Sequence, residues 1–182
     1  VDKLVLVLLL PVMLIVAALQ RLTSEGPVLY SQQRVGKDGA LFTIHKFRSM
    51  RVDAEAVSGA VWSAQNDPRV TPFGRFLRRT RLDELPQLWN VLRGDMSLVG
   101  PRPERPEFVA KLTTQIPFYG QRHVVRPGLT GWAQVRHRYG ASVEDAQEKL
   151  QYDLFYIKHV SLPFDFYVVL ETVKTVLVRR GS

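Results

Sequence analysis

The stretch TPFGRFLRRTRLDELPQLWNVLRGDMSLVGPRPERP, residues 71–106, decides the fold, because capping, turn and charge signals are concentrated in it. It holds five of the eleven prolines, a dense run of arginines and the adjacent carboxylates Asp83 and Glu84. Apolar residues then recur three and four positions apart, which predicts a helix over residues 85–92.

The ends of this predicted helix carry capping residues. Gly94 is placed to end it, Asp83 to cap its start, and Pro86 falls in the first turn, where a missing N–H costs little. A helix start offers unpaired N–H groups and partial positive charge, so phosphate binds there readily. Two carboxylates at the same place would repel a phosphate unless cations bridged them, and Mg²⁺ is often held by one or two carboxylates together with substrate phosphates.

Two interpretations of the stretch follow. One is a metal-assisted phosphoryl or phosphoglycosyl site, in which a divalent metal and nearby arginines bridge the carboxylates and a phosphate. The other is a capped helix beside a solvated basic face, since caps and charge runs are common in proteins. The stretch by itself leaves both open.

Length and composition narrow the class of protein. At 182 residues, one compact domain with an appendage is the natural size. The net charge is +8 and the pI about 10.0, which suits an anionic partner: a membrane surface, nucleic acid or a phosphorylated substrate. The chain has no cysteine, which excludes a disulfide framework and a thiolate metal site.

The N-terminal segment, residues 4–19, is uncharged and almost wholly apolar. A helix of that length is roughly 24 Å long, shorter than a ~30 Å hydrocarbon core. Pro11 lies in its middle and tends to kink a helix. We expect a re-entrant membrane helix with its break at Pro11, in preference to a tilted span, an uncleaved signal or a buried core helix. The abrupt apolar start indicates the C-terminal part of a longer protein, or a shortened chain.

The remaining residues predict an α/β fold of the α+β kind: a re-entrant membrane helix at residues 1–22 and a catalytic domain at 23–182. A small β-hairpin is expected from the strand-like runs 28–35 and 41–47, joined by a turn at 36–39. Several short amphipathic helices are expected at the membrane interface, at residues 73–79, 104–118, 142–156 and 163–180, and Thr71 is placed to cap the first of them. Residues 126–132 are predicted to form a turn-rich loop in which glycines allow positive φ or close approach to a ligand.

Basic residues supply the candidates for phosphate binding. Lys46 and Arg48 flank Phe47 and are predicted to share one strand face. Arg102 lies between two prolines that limit its backbone freedom, which suits bidentate phosphate recognition; an ordinary proline-rich turn is the alternative. Further candidates are Arg78, Arg81 and Arg126. By contrast, a lone aspartate such as Asp153 on a predicted helix is more often structural than catalytic.

Four segments carry a resemblance to a known family: KFRSM at 46–50, DPRVTPFGRFLRRTRLDELPQLWNVLRGDMSLVGPRPERPEF at 67–108, RPGLTGWAQV at 126–135 and YDLFYIKHVSLPFD at 152–165. Together they resemble the bacterial sugar transferases, or monotopic phosphoglycosyl transferases. The chain looks most like polyprenyl-phosphate glycosylphosphotransferases of exopolysaccharide or O-antigen assembly. The likeness covers nearly the whole chain from about residue 26.

The resemblance implies a reaction and its residues. A UDP-sugar gives its sugar-1-phosphate to polyprenyl (undecaprenyl) phosphate and UMP is released, with Mg²⁺ as cofactor. By its position in the family motif, Asp83 is the implied nucleophile and metal ligand, forming an aspartyl phosphosugar. Glu84 is the second catalytic residue, in a supporting or acid–base role, and Arg102 is associated with phosphate binding.

The resemblance also implies a setting. The enzyme is expected in the bacterial inner (cytoplasmic) membrane with its catalytic domain facing the cytoplasm. Its expected partners are the UDP-sugar, polyprenyl phosphate and anionic inner-leaflet lipid, with no nucleic acid; the oligomeric state stays open, with a homodimer as one alternative. One departure concerns the helix break, where many members have Ser-Pro and this chain has Leu10-Pro11. The serine hydrogen bond that helps to hold the kink is therefore missing.

Two other classes of function were compared with the transferase. A membrane-tethered basic module that binds nucleic acid or anionic lipid explains the charge and the apolar start, but leaves the carboxylate pair within an arginine cluster unexplained. A glycosidase needs carboxyl groups on both sides of the bond to be cut, at least ~5 Å apart. Adjacent residues entering a helix point in different directions, which disfavours it.

Overall fold

The computed structural model describes residues 2–56, 59, 61–62, 67–137 and 142–178. Within these residues the fold is mixed α/β, with seven α-helices and two small two-stranded sheets. The helices are α1 (Asp2–Thr23), α2 (Pro72–Thr80), α3 (Leu88–Arg93), α4 (Pro106–Gln115), α5 (Trp132–Arg136), α6 (Val143–Lys158) and α7 (Leu162–Val178). The strands are β1 (Leu29–Val35), β2 (Leu41–Phe47), β3 (Ser97–Val99) and β4 (Gly128–Thr130).

The predicted β-hairpin is confirmed. β1 and β2 pair antiparallel, with Leu29 opposite Phe47 and Val35 opposite Leu41. A 3₁₀ turn joins them, and its residues Asp38 and Gly39 have φ of 54° and 80°. Aspartate and glycine tolerate this left-handed backbone, which explains why the turn signal in the sequence was reliable.

The second sheet was not predicted. β3 pairs parallel to β4, with Ser97 opposite Gly128 and Val99 opposite Thr130. The predicted loop at 126–132 is therefore wrong in part, because it contains β4 and leads into α5. A Cβ on Gly128 would lie 2.1 Å from the backbone nitrogen of Gly100. The close approach that these glycines permit is thus between two backbone segments.

α1 is longer than the predicted apolar helix. It runs without interruption from Asp2 to Thr23 and contains Pro11. One face packs on the rest of the protein, where Val16 is buried with Phe47 and Leu77. The opposite side exposes large apolar side chains at Leu8, Leu10, Leu14, Ile15, Leu19 and Leu22.

The relation of α1 to a membrane stays a prediction. In the described part of the chain, no helix combines the length and the apolar character needed to cross a bilayer. The division at residue 22, the return of α1 to one face and the membrane-interface position of the short helices also stay predictions.

The other predicted helices are confirmed with small shifts in their ends. Thr71 caps α2 by accepting a hydrogen bond from the Gly74 nitrogen. Ser142 and Asp145 form a reciprocal capping box at the start of α6. α4 and α7 occupy most of the two remaining predicted ranges. The basic end of the last helix, residues 179–180, lies outside the described residues.

The core consists of several small clusters that meet around the central stretch. Leu112, Ile116, Tyr119 and Leu150 join α4 to α6, and Val99, Tyr156 and Val168 join β3 to α6 and α7. On the other side, Ile44 of the hairpin is buried with Val91 and Met96. The carboxylate pair is thereby held between the hairpin, α2 and the turn after β3.

Candidate active site

Asp83 and Glu84 lie in a 3₁₀ segment, Leu82–Gln87, and not at the start of an α-helix. The prediction that Asp83 caps a helix is therefore wrong, because α3 begins only at Leu88. Arg81 explains the difference: its φ of 59° ends α2 and turns the chain directly into the 3₁₀ segment. The prediction for Gly94 is confirmed, since it ends α3 with φ of 84°.

The carboxylate of Glu84 is the centre of a cluster of cations. Arg102 donates to both of its oxygens, Nη2 to Oε1 at 2.5 Å and Nη1 to Oε2 at 3.3 Å. Lys46 Nζ from β2 donates to Oε1 at 3.2 Å. Arg81 Nη1 lies 3.9 Å from the same oxygen. Three parts of the chain thus converge on one buried carboxylate.

This environment fixes the charge of Glu84. Burial would raise its pKa, but the charges of Arg102 and Lys46 outweigh burial and hold the pKa of Glu84 well below its usual range. Burial in turn lowers the pKa of Lys46, against the opposing effect of Glu84. Glu84 is therefore an ionised anchor with its oxygens occupied, and a proton-transfer role for it is disfavoured.

Asp83 has the opposite environment. Its side chain is 7% exposed, and its Oδ1 is buried without a hydrogen-bond partner among the described residues. Burial first, and then the charge of Glu84, raise the pKa of Asp83. The cations Lys46, Arg81 and Arg78 act in the other direction without cancelling this effect. A desolvated carboxylate with an oxygen that no donor holds can act as a nucleophile or as a ligand.

The residues present fit a magnesium ion in a limited way. Among the described residues, no group of three or more Asp, Glu, His or Cys side chains could hold a metal. Asp83 Oδ1 is available, whereas Arg102 and Lys46 occupy the oxygens of Glu84. A single carboxylate supplemented by substrate phosphates is a usual magnesium arrangement, so the unsatisfied oxygen of Asp83 fits Mg²⁺ brought with a diphosphate.

Arg102 is positioned by the parallel pairing of β3 and β4. Gly100 N donates to the Thr130 carbonyl at 2.9 Å, and Gly128 N donates to the Pro101 carbonyl at 2.9 Å. These bonds hold the turn in which Arg102 stands between Pro101 and Pro103. The predicted locked arginine is thus found, but its side chain is already paired with Glu84.

The sequence of the chain matches those of known proteins. Residues 1–179 match the family model described as bacterial sugar transferase. The chain belongs to the bacterial sugar transferase family. The resemblance drawn from the four sequence segments is confirmed.

Three relatives match most of the length of this chain. The UDP-N-acetylgalactosamine-undecaprenyl-phosphate N-acetylgalactosaminephosphotransferase of Aeromonas hydrophila is 49% identical over 172 residues, covering 94% of this chain and 40% of that protein. The UDP-glucose:undecaprenyl-phosphate glucose-1-phosphate transferase of Escherichia coli K12 is 45% identical over 181 residues, 98% of this chain and 39% of that protein. The exopolysaccharide production protein PSS of Rhizobium leguminosarum bv. phaseoli is 44% identical over 179 residues, which cover 96% of this chain and 90% of that protein. The chain therefore spans about two fifths of the length of the first two relatives.

The other phosphate-binding candidates of the chain are not all at the carboxylate pair. Arg78 donates through Nε to Ser49 Oγ at 2.8 Å and is close enough to Asp83 to act on its pKa. Arg48 lies one residue beyond the end of β2, where its backbone nitrogen still donates to the Val28 carbonyl, and the strand face that it is expected to share with Lys46 stays a prediction. Its guanidinium binds Ser24 Oγ and the Glu25 carbonyl.

Arg126 is exposed, and its guanidinium lies near Gly94 at the end of α3. The structure does not bring it to Asp83 or Glu84 through any contact of the described residues. The phosphate-binding roles of Arg48 and Arg126 stay predictions.

Arg34 on β1 was not among the site residues predicted from the sequence. Burial lowers the pKa of Arg34 to about 10. The charges of Arg102 and Arg105 also lower this pKa, whereas the charge of Glu104 raises it. Its Nη1 is buried without a hydrogen-bond partner among the described residues. Strand alternation places Arg34 on the same face as Tyr30, opposite which Lys46 stands in the hairpin. This alternation in the sequence was the signal that could have identified Arg34 as a site residue.

Surface clefts do not identify this site. A cleft of about 350 Å³ lies beside α2, lined by Pro72, Arg75, Phe76, Arg79 and Thr80. Another, of about 290 Å³, lies between the hairpin turn and residues 120–124. Neither is lined by the carboxylate pair, so charge and burial, and not concavity, indicate the chemistry of the site.

Proposed function

We propose that the chain is a phosphoglycosyl transferase that moves a sugar-1-phosphate from a UDP-sugar to undecaprenyl phosphate and releases UMP. The names of the Aeromonas and Escherichia relatives, which contain this donor class and this acceptor, support the substrates. The observation that carries the proposal is the contrast within the carboxylate pair: cations engage both oxygens of Glu84, whereas the buried Oδ1 of Asp83 has no hydrogen-bond partner among the residues that the structure describes.

In the first step, the Asp83 carboxylate attacks the β-phosphorus of the donor. A bond forms between an Asp83 oxygen and phosphorus, and the bond from that phosphorus to the oxygen bridging the two phosphates breaks. UMP leaves with the bridging oxygen and its electron pair. The sugar phosphate stays on Asp83 as an acyl phosphate.

In the second step, a phosphate oxygen of undecaprenyl phosphate attacks the same phosphorus. The bond to Asp83 breaks, its electron pair returns to the carboxylate, and an undecaprenyl diphosphosugar leaves. A covalent intermediate divides one difficult displacement into two easier ones. The Asp83 side chain ends as it began, ready for another donor.

The cations around Glu84 supply what phosphoryl transfer mainly needs, which is positioning and positive charge. Lys46 and Arg102 are fixed by Glu84 next to the nucleophile. Arg78 and Arg81 oppose the raised pKa of Asp83 and so favour its ionised form. Arg34, whose buried Nη1 has no partner in the described part of the chain, is a further cation available to the donor phosphates.

Magnesium is part of the proposal. Asp83 would hold Mg²⁺ together with the donor diphosphate, and the ion would neutralise charge on the leaving phosphate. Glu84 is not assigned as a ligand, because Arg102 and Lys46 occupy its oxygens.

We also propose that the enzyme works at the inner membrane of a bacterium, with its catalytic residues on the cytoplasmic side. The exposed apolar side of α1 supports insertion into lipid, while its opposite side packs on the domain that carries Asp83. The net charge of +8 favours an anionic leaflet. A re-entrant α1 would keep both its ends at the level of the lipid phosphate.

The proposed function is tested by following both products in detergent. The protein is incubated with Mg²⁺, undecaprenyl phosphate and either UDP-glucose or UDP-N-acetylgalactosamine, the donors in the relatives' names. We expect UMP and a lipid-linked sugar diphosphate in equal amounts from at least one donor, and neither from Asp83→Asn. UMP formed without a lipid product in the presence of acceptor, or undiminished turnover by Asp83→Asn, would contradict the proposal.

A further inference from the structure

A second buried ion pair lies behind the carboxylate pair, on parts of the chain that the proposed mechanism does not use. Arg122, in the 3₁₀ segment Tyr119–His123, donates through Nε and Nη2 to Asp153 Oδ2 of α6, at 3.1 and 2.8 Å. Its Nη1 donates to the Tyr119 hydroxyl at 2.7 Å. Arg122 is 6% exposed and Asp153 2%, so the pair is almost fully removed from water.

The remaining hydrogen bond of Arg122 leads towards the candidate active site. Its Nη2 also donates to the backbone carbonyl of Arg102, at 2.9 Å. Arg102 in turn binds both oxygens of Glu84 through its guanidinium. A continuous series of contacts therefore joins α6 to the residue beside the proposed nucleophile, although Arg122 and Glu84 do not touch.

Arg102 needs such an anchor because of its neighbours in the chain. Pro101 and Pro103 have no backbone N–H, so the turn has fewer hydrogen-bond donors by which it can be held. One support is the Pro101 carbonyl, which accepts from Gly128 N. The Arg102 carbonyl, held by Arg122, is a second and independent support.

A stabilising role alone does not account for so buried a pair. Taking two charges out of water is costly, and replacing such a pair by well-packed apolar residues is often neutral or stabilising. What a buried, fully hydrogen-bonded arginine supplies is a fixed geometry. Every nitrogen of the Arg122 guanidinium is engaged, and one of its bonds ends on the backbone of Arg102.

We propose that Arg122, held by Asp153, is a positioning residue that orients Arg102 on Glu84 and so shapes the cation cluster beside Asp83. It contacts neither the carboxylate pair nor, in the proposed mechanism, the substrates. The inference rests on the proposed function for its effect on turnover. Its structural part, the coupling of Arg122 to Glu84 through Arg102, can be tested separately.

Charged groups surround both ends of this series of contacts from Asp153 to Glu84. Asp153, Glu104 and the Tyr119 hydroxyl act on Arg122, and Lys149 and Glu104 act on Asp153. At the other end, Lys46 and Arg81 share Glu84 with Arg102. Arg102 joins the two ends, because its carbonyl accepts from Arg122 and its guanidinium binds Glu84.

The first test uses Arg122→Lys, which keeps the charge opposite Asp153 but cannot make all four hydrogen bonds. With UDP-sugar, Mg²⁺ and acceptor, kcat should fall roughly 100-fold, since small displacements of positioned groups have effects of this order, while the KM for the donor changes little. The matched control is Tyr119→Phe, which removes one hydrogen bond of Arg122 and leaves the bond to Arg102; its kcat should stay within about 2-fold of wild type. Equal losses in the two variants, or none in Arg122→Lys, would overturn the inference.

The second test does not depend on activity. Melting temperatures are compared for wild type, Arg122→Lys, Glu84→Gln and the double variant. If Arg122 acts through Arg102, the double variant loses less than the sum of the two single losses, because Glu84→Gln has already released Arg102 from its ionised partner. Additive losses would mean that Arg122 is only a structural residue.

A third variant covers the case in which Arg122→Lys does not fold. Asp153→Asn keeps an acceptor oxygen for Arg122 but removes the charge that fixes Arg122. Its melting temperature is compared with those of wild type, Glu84→Gln and the corresponding double variant. If the wild-type protein forms no product at all, the proposed function fails, and the melting cycle still decides whether Arg122 and Glu84 are coupled.

Discussion

The guanidinium of Arg102 lies against the carboxylate of Glu84 with both pairs of atoms in hydrogen-bond range, at 2.5 and 3.3 Å. This pairing divides two adjacent acidic residues into different roles. Glu84 is held ionised by cations, and Asp83 is buried with one oxygen that no described residue pairs.

Neutralising the two carboxylates should have opposite effects on stability. Glu84→Gln leaves Lys46 and Arg102 without their buried anion and should lower the free energy of unfolding by about 2–3 kcal/mol. This figure is smaller than that for a fully buried pair, because solvent screens the exposed part of Arg102. Asp83→Asn removes a desolvated charge and should leave stability unchanged or raise it. Denaturant unfolding of both isosteric variants measures this difference. A larger loss in Asp83→Asn than in Glu84→Gln would contradict the roles assigned to them.

The pH dependence of activity should report the raised pKa of Asp83. The nucleophile must be ionised, so kcat/KM should fall on acidification at a pH above the ordinary aspartate value of about 3.9. The effect on stability has the opposite sign. The raised pKa of Asp83 stabilises the folded protein below the ordinary aspartate pKa, and this stabilisation is lost as pH rises through the pKa of Asp83 in the folded protein. A pH–rate profile in detergent tests the activity limb, and an acid limb at or below the ordinary value would rule out Asp83 as the titrating nucleophile.

The same linkage gives the acid behaviour of Glu84. Its lowered pKa contributes stability that is present above the ordinary glutamate value and is lost as pH falls through the folded value. The difference in melting temperature between wild type and Glu84→Gln should therefore shrink as the solution is acidified. A difference that grows on acidification would show that Glu84 is not held ionised.

Gly128 should tolerate no side chain. A Cβ there would lie 2.1 Å from Gly100 N and 2.6 Å from Gly100 O, against backbone that cannot move without displacing the turn of Arg102. Gly128→Ala should cost about 3 kcal/mol or more and reduce activity in the fraction that stays folded. Gly120→Ala is the matched control, because nothing lies within 4 Å of its added Cβ. If both variants melt alike, β3 and β4 do not approach each other as described.

Both ends of α1 should be accessible from one side of the membrane. The chain has no cysteine, so Lys3→Cys and Thr23→Cys each provide a single labelling site without further changes. In sealed inverted vesicles, an impermeant maleimide should label both, since a re-entrant helix returns to its entry face. Adding Pro11→Ala should reduce labelling at residue 3 by favouring a straighter helix. Labelling of the two sites from opposite sides in the otherwise unchanged protein would exclude re-entrance.

Local chemistry in the sequence predicted the parts of the fold that depend on neighbouring residues. The hairpin turn at Asp38 and Gly39, the cap at Thr71 and the helix end at Gly94 all follow from backbone preferences within a few residues. The same reasoning placed an N-cap at Asp83, where the left-handed backbone of Arg81 produces a 3₁₀ segment instead. An arginine carries no signal for that conformation.

The assembly of the candidate site depends on contacts that no local pattern encodes. Lys46 meets Glu84 across 38 positions of the chain, and Arg122 meets Asp153 across 31. β3 and β4 have three residues each, too few for strand periodicity to be recognised. The residue types of the site were therefore predictable, and Arg102 was found where its turn was expected, but the pairing that separates Glu84 from Asp83 required the structure.

The most direct test of the central claim is the intact mass of the protein after incubation with Mg²⁺ and a UDP-sugar in the absence of lipid acceptor. We expect the wild-type mass to rise by one sugar phosphate, the adduct to disappear when undecaprenyl phosphate is added, and Asp83→Asn to remain unmodified. An adduct of the same mass on Asp83→Asn, or peptide mapping that places it on another residue, would contradict the assignment of Asp83 as the nucleophile.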